Sequence, residues 1–185
     1  RADITTMLLE EMGSNRIEAV ICRAPEFYGP GKTRSYTNTL IFENIRKNKQ
    51  LKVLLNDDTL RTLIWSPDAS KATALIGNTP GAYGQTWHLP CDDNRLTYKE
   101  LIALASEIYG RPPEYTIIEK SQLIIDAMTN KNIAEMEELF PRYEQDNIFD
   151  SSKFKHRFPD FKVTTYREGI EQIMQDQKRA EADKI

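Results

Sequence analysis

The run Arg23-Ala24-Pro25-Glu26-Phe27-Tyr28-Gly29-Pro30-Gly31 constrains this chain more than any other stretch. It follows the apolar segment Ile17-Glu18-Ala19-Val20-Ile21-Cys22, which is short enough to be a buried strand, and Pro and Gly then stop that strand. In open α/β sheets, ligands sit just beyond the carboxyl ends of the strands. A charged, aromatic elbow at such a place is a candidate ligand wall. The alternative reading is an ordinary exit from strand to loop.

Further along, period and punctuation give an alternating pattern. Tyr36 to Asn48 carries Leu40, Ile41 and Ile45 at helical intervals, and Leu51 to Leu55 reads as a short strand closed by Asn56-Asp57-Asp58. Leu60 to Trp65 is a second β-rich run. Ser66-Pro67-Asp68 then opens a helix through Ile76, with Pro67 in a favoured first-turn place. Thr86 to Leu89 is a strand ended by Pro90. Thr97-Tyr98-Lys99-Glu100 is a capping box whose helix is stopped by Gly110 and Pro112-Pro113. Tyr115 to Ile118 is a strand, Ser121 to Met128 and Asn132 to Phe140 are helical, and Thr165-Tyr166-Arg167-Glu168 is a second capping box. Strand and helix alternate as far as Gly110, which favours βαβ units and a parallel sheet, while the region from Asp92 onward is the most helical.

Composition narrows the class. A chain of 185 residues, 39% hydrophobic and 29% charged, is expected to be globular, with one domain or one and a half. A net charge of −3 argues against nucleic-acid binding, and no apolar run reaches the length of a membrane span. The cluster Arg46-Lys47-Asn48-Lys49 reads as a solvated helix end. Cys22 and Cys91 read as small buried hydrophobes of a reducing, cytoplasmic protein. Neither they nor His88 and His156 have metal-ligand spacing, so no metal site is expected. Trp65 and Trp87 read as core, Asp68 as a first-turn helix charge, and Gln175 to Ile185 as a fraying helix end. At the other end, Ile4, Met7, Leu8 and Met12 fall at helical spacing, with Gly13 where a C-cap belongs. That helix has no start signal and follows no signal peptide, so the chain is expected to be a fragment that begins at Arg1.

Four of these segments together resemble the extended short-chain dehydrogenase/reductase family, of the NAD-dependent epimerase/dehydratase type. Arg23 to Gly31 is similar to the motif Arg-Pro-x-Asn-x-Tyr-Gly-Pro, with Ala24 at the motif's Pro and Glu26 at its Asn. Arg61 to Asp68 resembles Arg-Asp-Phe-x-Tyr-Val-Asp-Asp. Thr86 to Leu89 and the Thr97 helix resemble the family's Tyr-Asn-Ile-Gly strand and its downstream helix. Arg142 to Asp146, followed by Asp150-Ser151-Ser152-Lys153, resembles the closing Arg-x-x-Gly-Asp and Asp-x-Ser-Lys signature.

The resemblance implies an α/β fold: the C-terminal part of a Rossmann-type doubly wound sheet plus a smaller, mostly helical substrate lobe. Residues 1–34 would be the last units of the dinucleotide-binding domain and residues 35–185 mainly the substrate lobe, with 85–90 returning to the main sheet. The family's Gly-x-x-Gly-x-x-Gly loop and its Tyr-x-x-x-Lys acid/base pair are both missing from this sequence. No catalytic residue is therefore assigned, and the chain alone is expected to be inactive. Its first helix looks like the one that carries Tyr-x-x-x-Lys.

By the same resemblance, Pro25 closes over the nicotinamide end of NAD or NADP, which the isolated chain is not expected to hold tightly. Glu26 and Asn38 would contact substrate, Asn38 having a helix N-cap as its alternative role. A carboxylate at residue 26 would repel an anionic sugar-nucleotide and prefer hydroxyls or a cation. Arg61 and Arg142 would clamp phosphate, because a guanidinium fork matches its oxygens, or else form intramolecular ion pairs. Glu26, Arg61 and Arg142 are expected to face one cleft at the carboxyl edge of the sheet. Two functions are carried forward. One is the substrate half of an epimerase, dehydratase or reductase for a sugar or sugar-nucleotide-like small molecule. The other is a non-catalytic NAD(P)-binding regulatory or redox-sensing module, suggested by Glu26 and Trp65. A homo-oligomer is compatible with either.

Overall fold

In the computed structural model, which describes residues 2–31, 35–112 and 114–182, the elbow at Arg23 divides a strand rather than ending it. β1 (Ile21–Arg23) and β2 (Glu26–Tyr28) are separated by Ala24 and Pro25, and Pro25 has no N–H to give to a ladder. Each half then finds its own parallel partner. β1 pairs with β6 (Thr86–His88) in the register Ile21↔Thr86, and β2 pairs with β5 (Leu63–Trp65) in the register Glu26↔Leu63. A third parallel ladder joins β3 (Leu51–Leu54) to β8 (Tyr115–Ile118), and β4 (Leu60–Arg61) runs antiparallel to β7 (Leu96–Thr97). The β1–β6 pairing is the parallel one expected, but β1 starts at Ile21, with residues 17–20 outside the ladder.

The expected single strand from Leu60 to Trp65 is also two. Thr62 is the break: its N–H donates to the Asn147 carbonyl at 3.0 Å, and its hydroxyl oxygen accepts the Phe149 N–H at 3.0 Å. Its backbone N–H and its hydroxyl are both taken by a distant loop, and β4 and β5 turn to different neighbours.

The helices follow their punctuation closely. α1 spans Ala2–Gly13, and its left-handed terminator is Asn15 (φ 55°) rather than Gly13. The Asn15 and Arg16 N–H groups return to the Met12 and Glu11 carbonyls, a Schellman closure. α3 (Ser66–Gly77) carries Pro67 in its first turn. α4 (Tyr98–Tyr109) has the full Thr97–Glu100 capping box and ends at Gly110 with φ 64°. The second box opens α9 (Tyr166–Ala182), with Thr165 and Glu168 exchanging bonds of 2.8 and 3.3 Å. Arg1, Pro113 and the last residues of the expected fraying tail lie outside the described residues.

Two expected helices are not uniform. Tyr36 to Asn48 contains a π-helical turn, Asn38–Phe42, before α2 (Glu43–Arg46). After α5 (Lys120–Ala127), the stretch from Asn132 to Phe140 breaks into α6 (Lys131–Met136), a 3₁₀ turn at Glu137–Leu139 and α7 (Phe140–Glu144). Pro141 explains the break, since it cannot donate to the turn before it and is tolerated only in a first helical turn. α8 (Ser152–Arg157) completes the set.

The buried apolar residues form two clusters. One gathers β2, β3, α4 and α9 around Tyr28, whose ring centroid lies 5.2 Å from that of Trp65 and 5.6 Å from that of Tyr166. The other holds Trp87, Ile64, Ile76, Cys91 and Phe154. Both tryptophans are thus core, as expected. Cys91 is buried as well, and Cys22 only partly so. On α1, by contrast, Ile4 and Met7 are 59% and 53% exposed.

Tyr28 fits beneath α9 because residue 169 is glycine: a Cβ there would stand 2.7 Å from the Tyr28 hydroxyl and 3.0 Å from Trp65. Neither ring has room to retreat within a close-packed core. Gly169→Val should lower folding stability by about 1–3 kcal/mol, the usual cost of overpacking, since valine gains only a few tenths over glycine in helix propensity. A denaturant midpoint equal to wild type would contradict this packing.

Candidate active site

Glu26 opens β2, three residues past the end of β1, and its side chain turns inward. It is 9% exposed and Arg61, at the end of β4, is 2% exposed. Arg61 Nη2 lies 3.6 Å from Glu26 Oε2, an ion pair rather than a hydrogen bond. The hydrogen bonds to the carboxylate come from elsewhere. Thr37 donates its hydroxyl to Oε1 at 2.7 Å and its N–H at 3.3 Å, while the Tyr98 hydroxyl donates to Oε2 at 3.1 Å. A buried carboxylate needs this many partners because leaving water costs it several kcal/mol.

The guanidinium of Arg61 is enclosed just as fully. Its Nη1 donates to the Arg142 carbonyl oxygen, and its carbon sits 4.8 Å from the Tyr143 ring centroid and 5.4 Å from that of Tyr98. The Arg142 guanidinium lies 5.9 Å from the same Tyr143 ring. α7 is anchored to β4 by more than this one bond. Asp146 accepts the Leu60 N–H at 2.8 Å, and Asn147 forms a bridge with Arg61 and donates to the Leu60 carbonyl at 2.9 Å. Two donors remain without a partner among the described residues, the buried Nε atoms of Arg61 and Arg142.

The structure therefore brings Glu26, Arg61 and Arg142 together and leaves Asn38 facing another way. Asn38 is not an N-cap. It lies within the π-helical turn, after Thr37, and clasps Gly29 with both ends of its amide: Oδ1 accepts the Gly29 N–H at 3.2 Å and Nδ2 donates to the Gly29 carbonyl at 2.7 Å. Ser66 holds the same elbow by donating to the Tyr28 carbonyl at 2.9 Å. Pro25 is buried beside Glu26. Arg142 belongs to α7. Asp68 is a first-turn residue, but buried, and it accepts the Thr164 N–H at 2.7 Å.

The place of the cluster also differs from the expected one. It lies past the carboxyl end of β1 but at the amino end of β2, because the elbow itself became a strand. It is closed rather than open. The hollow touching it, lined by Tyr36, Thr37, Leu40 and Tyr98, measures about 10 Å³, no more than one water needs. Half-buried Tyr36 and Arg142 form its border with solvent.

Thr37, Tyr98 and Tyr143 are the members that sequence reading missed. Tyr98 carried one available signal, a phenol placed directly after the N-cap of a capping box, on the buried side of its helix. Burial pushes the Tyr98 and Tyr143 phenols well above the ordinary value of 10.0, and the charge of Glu26 adds to it. Burial likewise raises the Cys91 thiol to about 12. Among the described residues, no three His, Cys, Asp or Glu side chains gather as a metal cage would require, and no helix is long and apolar enough to cross a membrane.

No protein-family model matches the sequence, and no curated protein matches it significantly. Solved structures do. The chain is similar to a dTDP-glucose 4,6-dehydratase from Bacillus anthracis in complex with NAD, with a TM-score of 0.71 and 16% identity over 96% of this chain and 50% of that one. It is similar to a UDP-glucuronic acid 4-epimerase from Bacillus cereus in complex with UDP-glucuronic acid and NAD, with a TM-score of 0.70 and 14% identity over 95% and 50%. A UDP-glucose 4-epimerase from Thermotoga maritima with UDP-glucose gives 0.70 and 15% over 94% and 50%. The chain spans about half the length of these structures and has the α/β fold of that half.

Two expectations follow from the enclosure. Arg61→Ala leaves Glu26 buried without its counter-charge and should cost about 3–5 kcal/mol of stability, read by chemical denaturation. The raised phenols of Tyr98 and Tyr143 bind their protons more tightly in the folded chain than in the unfolded one. Their contribution to stability is complete below pH 10.0, the ordinary tyrosine value, and is lost as pH climbs toward the folded values. Phenolate absorbance should therefore appear in two stages, exposed tyrosines first and these together with unfolding; a single stage near pH 10.0 would contradict the burial.

Proposed function

We propose that this chain is the substrate-binding half of an NAD(P)-dependent epimerase, dehydratase or reductase acting on a sugar or a sugar-nucleotide-like molecule. The observation that carries the reading is the alignment of two independent features. More than nine-tenths of the chain follows half of structures that hold NAD or a UDP-sugar, and the residues resembling that family's substrate contacts, Glu26, Arg61 and Arg142, converge in one cluster. A division into residues 1–34, from the dinucleotide side, and 35–185, mainly the substrate lobe, goes with this reading. The pairing of β1 with β6 supports the return of residues 85–90 to the first sheet.

The described residues do not fit the pyrophosphate of a dinucleotide. Such a group needs free backbone N–H donors at a glycine-rich turn before a helix. Here the Gly29 N–H is taken by Asn38, and a Cβ on Gly29 would meet Ser66 rather than an open cradle. The phosphate seat for NAD or NADP is accordingly assigned outside these residues, and Pro25 is left as a wall for the nicotinamide end. On the substrate side, the half-buried Tyr36 and Arg142 are the members that border solvent, and a phenol and a guanidinium suit hydroxyl-rich ligands.

Amide shifts of the isotopically labelled chain test the reading. At millimolar UDP-glucose, dTDP-glucose, uridine or free glucose, at least one ligand should move the amides of Glu26, Thr37, Arg61 and Arg142 together. Silence at all four with every ligand would remove the substrate assignment. Calorimetry with NAD and NADPH should find no sub-micromolar binding; finding it would place the phosphate seat within this chain after all.

A further inference from the structure

We propose that Glu26 is a built-in counter-ion for Arg61, and that it bars nucleoside diphosphates from the strand-end cluster. The inference rests on the substrate-half reading and narrows it.

Three observations carry it. First, Arg61 is spent. One terminal nitrogen faces Glu26, the other is bonded to the Arg142 carbonyl, and the guanidinium carbon lies 5.4 and 4.8 Å from the Tyr98 and Tyr143 ring centroids. The fork formed by the two terminal nitrogens, which would grip a phosphate, is turned to internal partners. Second, Glu26 cannot follow its partner or leave. Thr37 and Tyr98 fix both carboxylate oxygens, so an incoming phosphate would have to draw Arg61 away from a buried carboxylate that has no other cation in contact among the described residues. That leaves one buried negative charge unpaired and sets a second beside it, an arrangement that low-dielectric surroundings penalise strongly. Third, the donors that are still free offer no fork. Among the described residues the unpartnered ones are the Nε atoms of Arg61 and Arg142, single buried N–H groups that cannot grip a phosphate bidentately.

The same charge makes the test specific. Glu26→Gln keeps the shape and one acceptor oxygen but removes the competing charge, which releases Arg61 to an external anion. UDP and uridine, titrated by calorimetry into the whole 185-residue chain and into this variant, differ only in the diphosphate. Wild type should bind UDP no more tightly than uridine, and Glu26→Gln should gain roughly tenfold or more for UDP, with uridine unchanged. A folded Glu26→Gln chain with no gain overturns the proposal. So does a wild-type preference for UDP that Arg61→Gln abolishes, although that result leaves the substrate-half reading in place. Silence of the four amides toward every sugar ligand overturns both. If Glu26→Gln does not fold, judged by circular dichroism, Glu26→Asn takes its place. If neither folds, wild type against Arg61→Lys decides: UDP binding weakened by the substitution overturns the proposal, and no preference for UDP over uridine in either upholds it.

Discussion

The burial of one carboxylate beside one guanidinium sets the terms for everything around it. Glu26 and Arg61 are on different strands of different ladders, and each is withdrawn from water. Neither charge is tolerable there unless polar partners arrive from several directions. They come from the turn at Thr37, from the first residue of α4 and from the backbone of α7. Five separate pieces of chain are thereby held in one relative position. Hydrophobic burial supplies most of the driving force, but it is non-directional and would accept other arrangements of the same rings. The polar cluster accepts only this one.

The aromatic core beside it follows from the same arrangement. Tyr28 stands on the face of β2 opposite the outward Phe27 and in line with Glu26, since strand side chains alternate. Once Glu26 is fixed inward, Tyr28 is directed inward too, toward Trp65, Phe42 and Tyr166. Gly169 on α9 then has to be small. The Tyr166 hydroxyl closes this region by accepting the Leu63 N–H at 3.0 Å, so the last helix is tied to the strand that pairs with β2.

The local grammar of the chain was legible. Both capping boxes, the Gly110 stop and the Pro67 helix start could be read from residue type and spacing, because each depends on neighbours a few positions away. What could not be read depends on partners far along the chain. The break at Thr62 exists because Asn147 takes its N–H and Phe149 its hydroxyl, and nothing near Thr62 announces them. The terminator of α1 was misplaced because both Gly13 and Asn15 can end a helix, and only the conformation distinguishes them. In the site, three charged members were found from type and position. Their enclosure was not, since burial of an arginine is decided by which rings and carbonyls arrive beside it. Tyr98 and Tyr143 illustrate the point: as single letters they are ordinary core phenols.

The split between β4 and β5 has a consequence for how the chain reaches this state. Beside the β2–β5 and β4–β7 ladders and the Glu26 ion pair, the bonds that fix residues 60–63 come from far downstream: Asp146 for Leu60, Arg142 for Arg61, Asn147 and Phe149 for Thr62, Tyr166 for Leu63. The intervening loops are 81 to 103 residues long, so their closure entropy must be met before any of these bonds forms. During synthesis, these bonds have to wait for the final third of the chain. Until α7 leaves the ribosome, Arg61 lacks both the Arg142 carbonyl and the Tyr143 ring, so its pair with Glu26 is enclosed only in part.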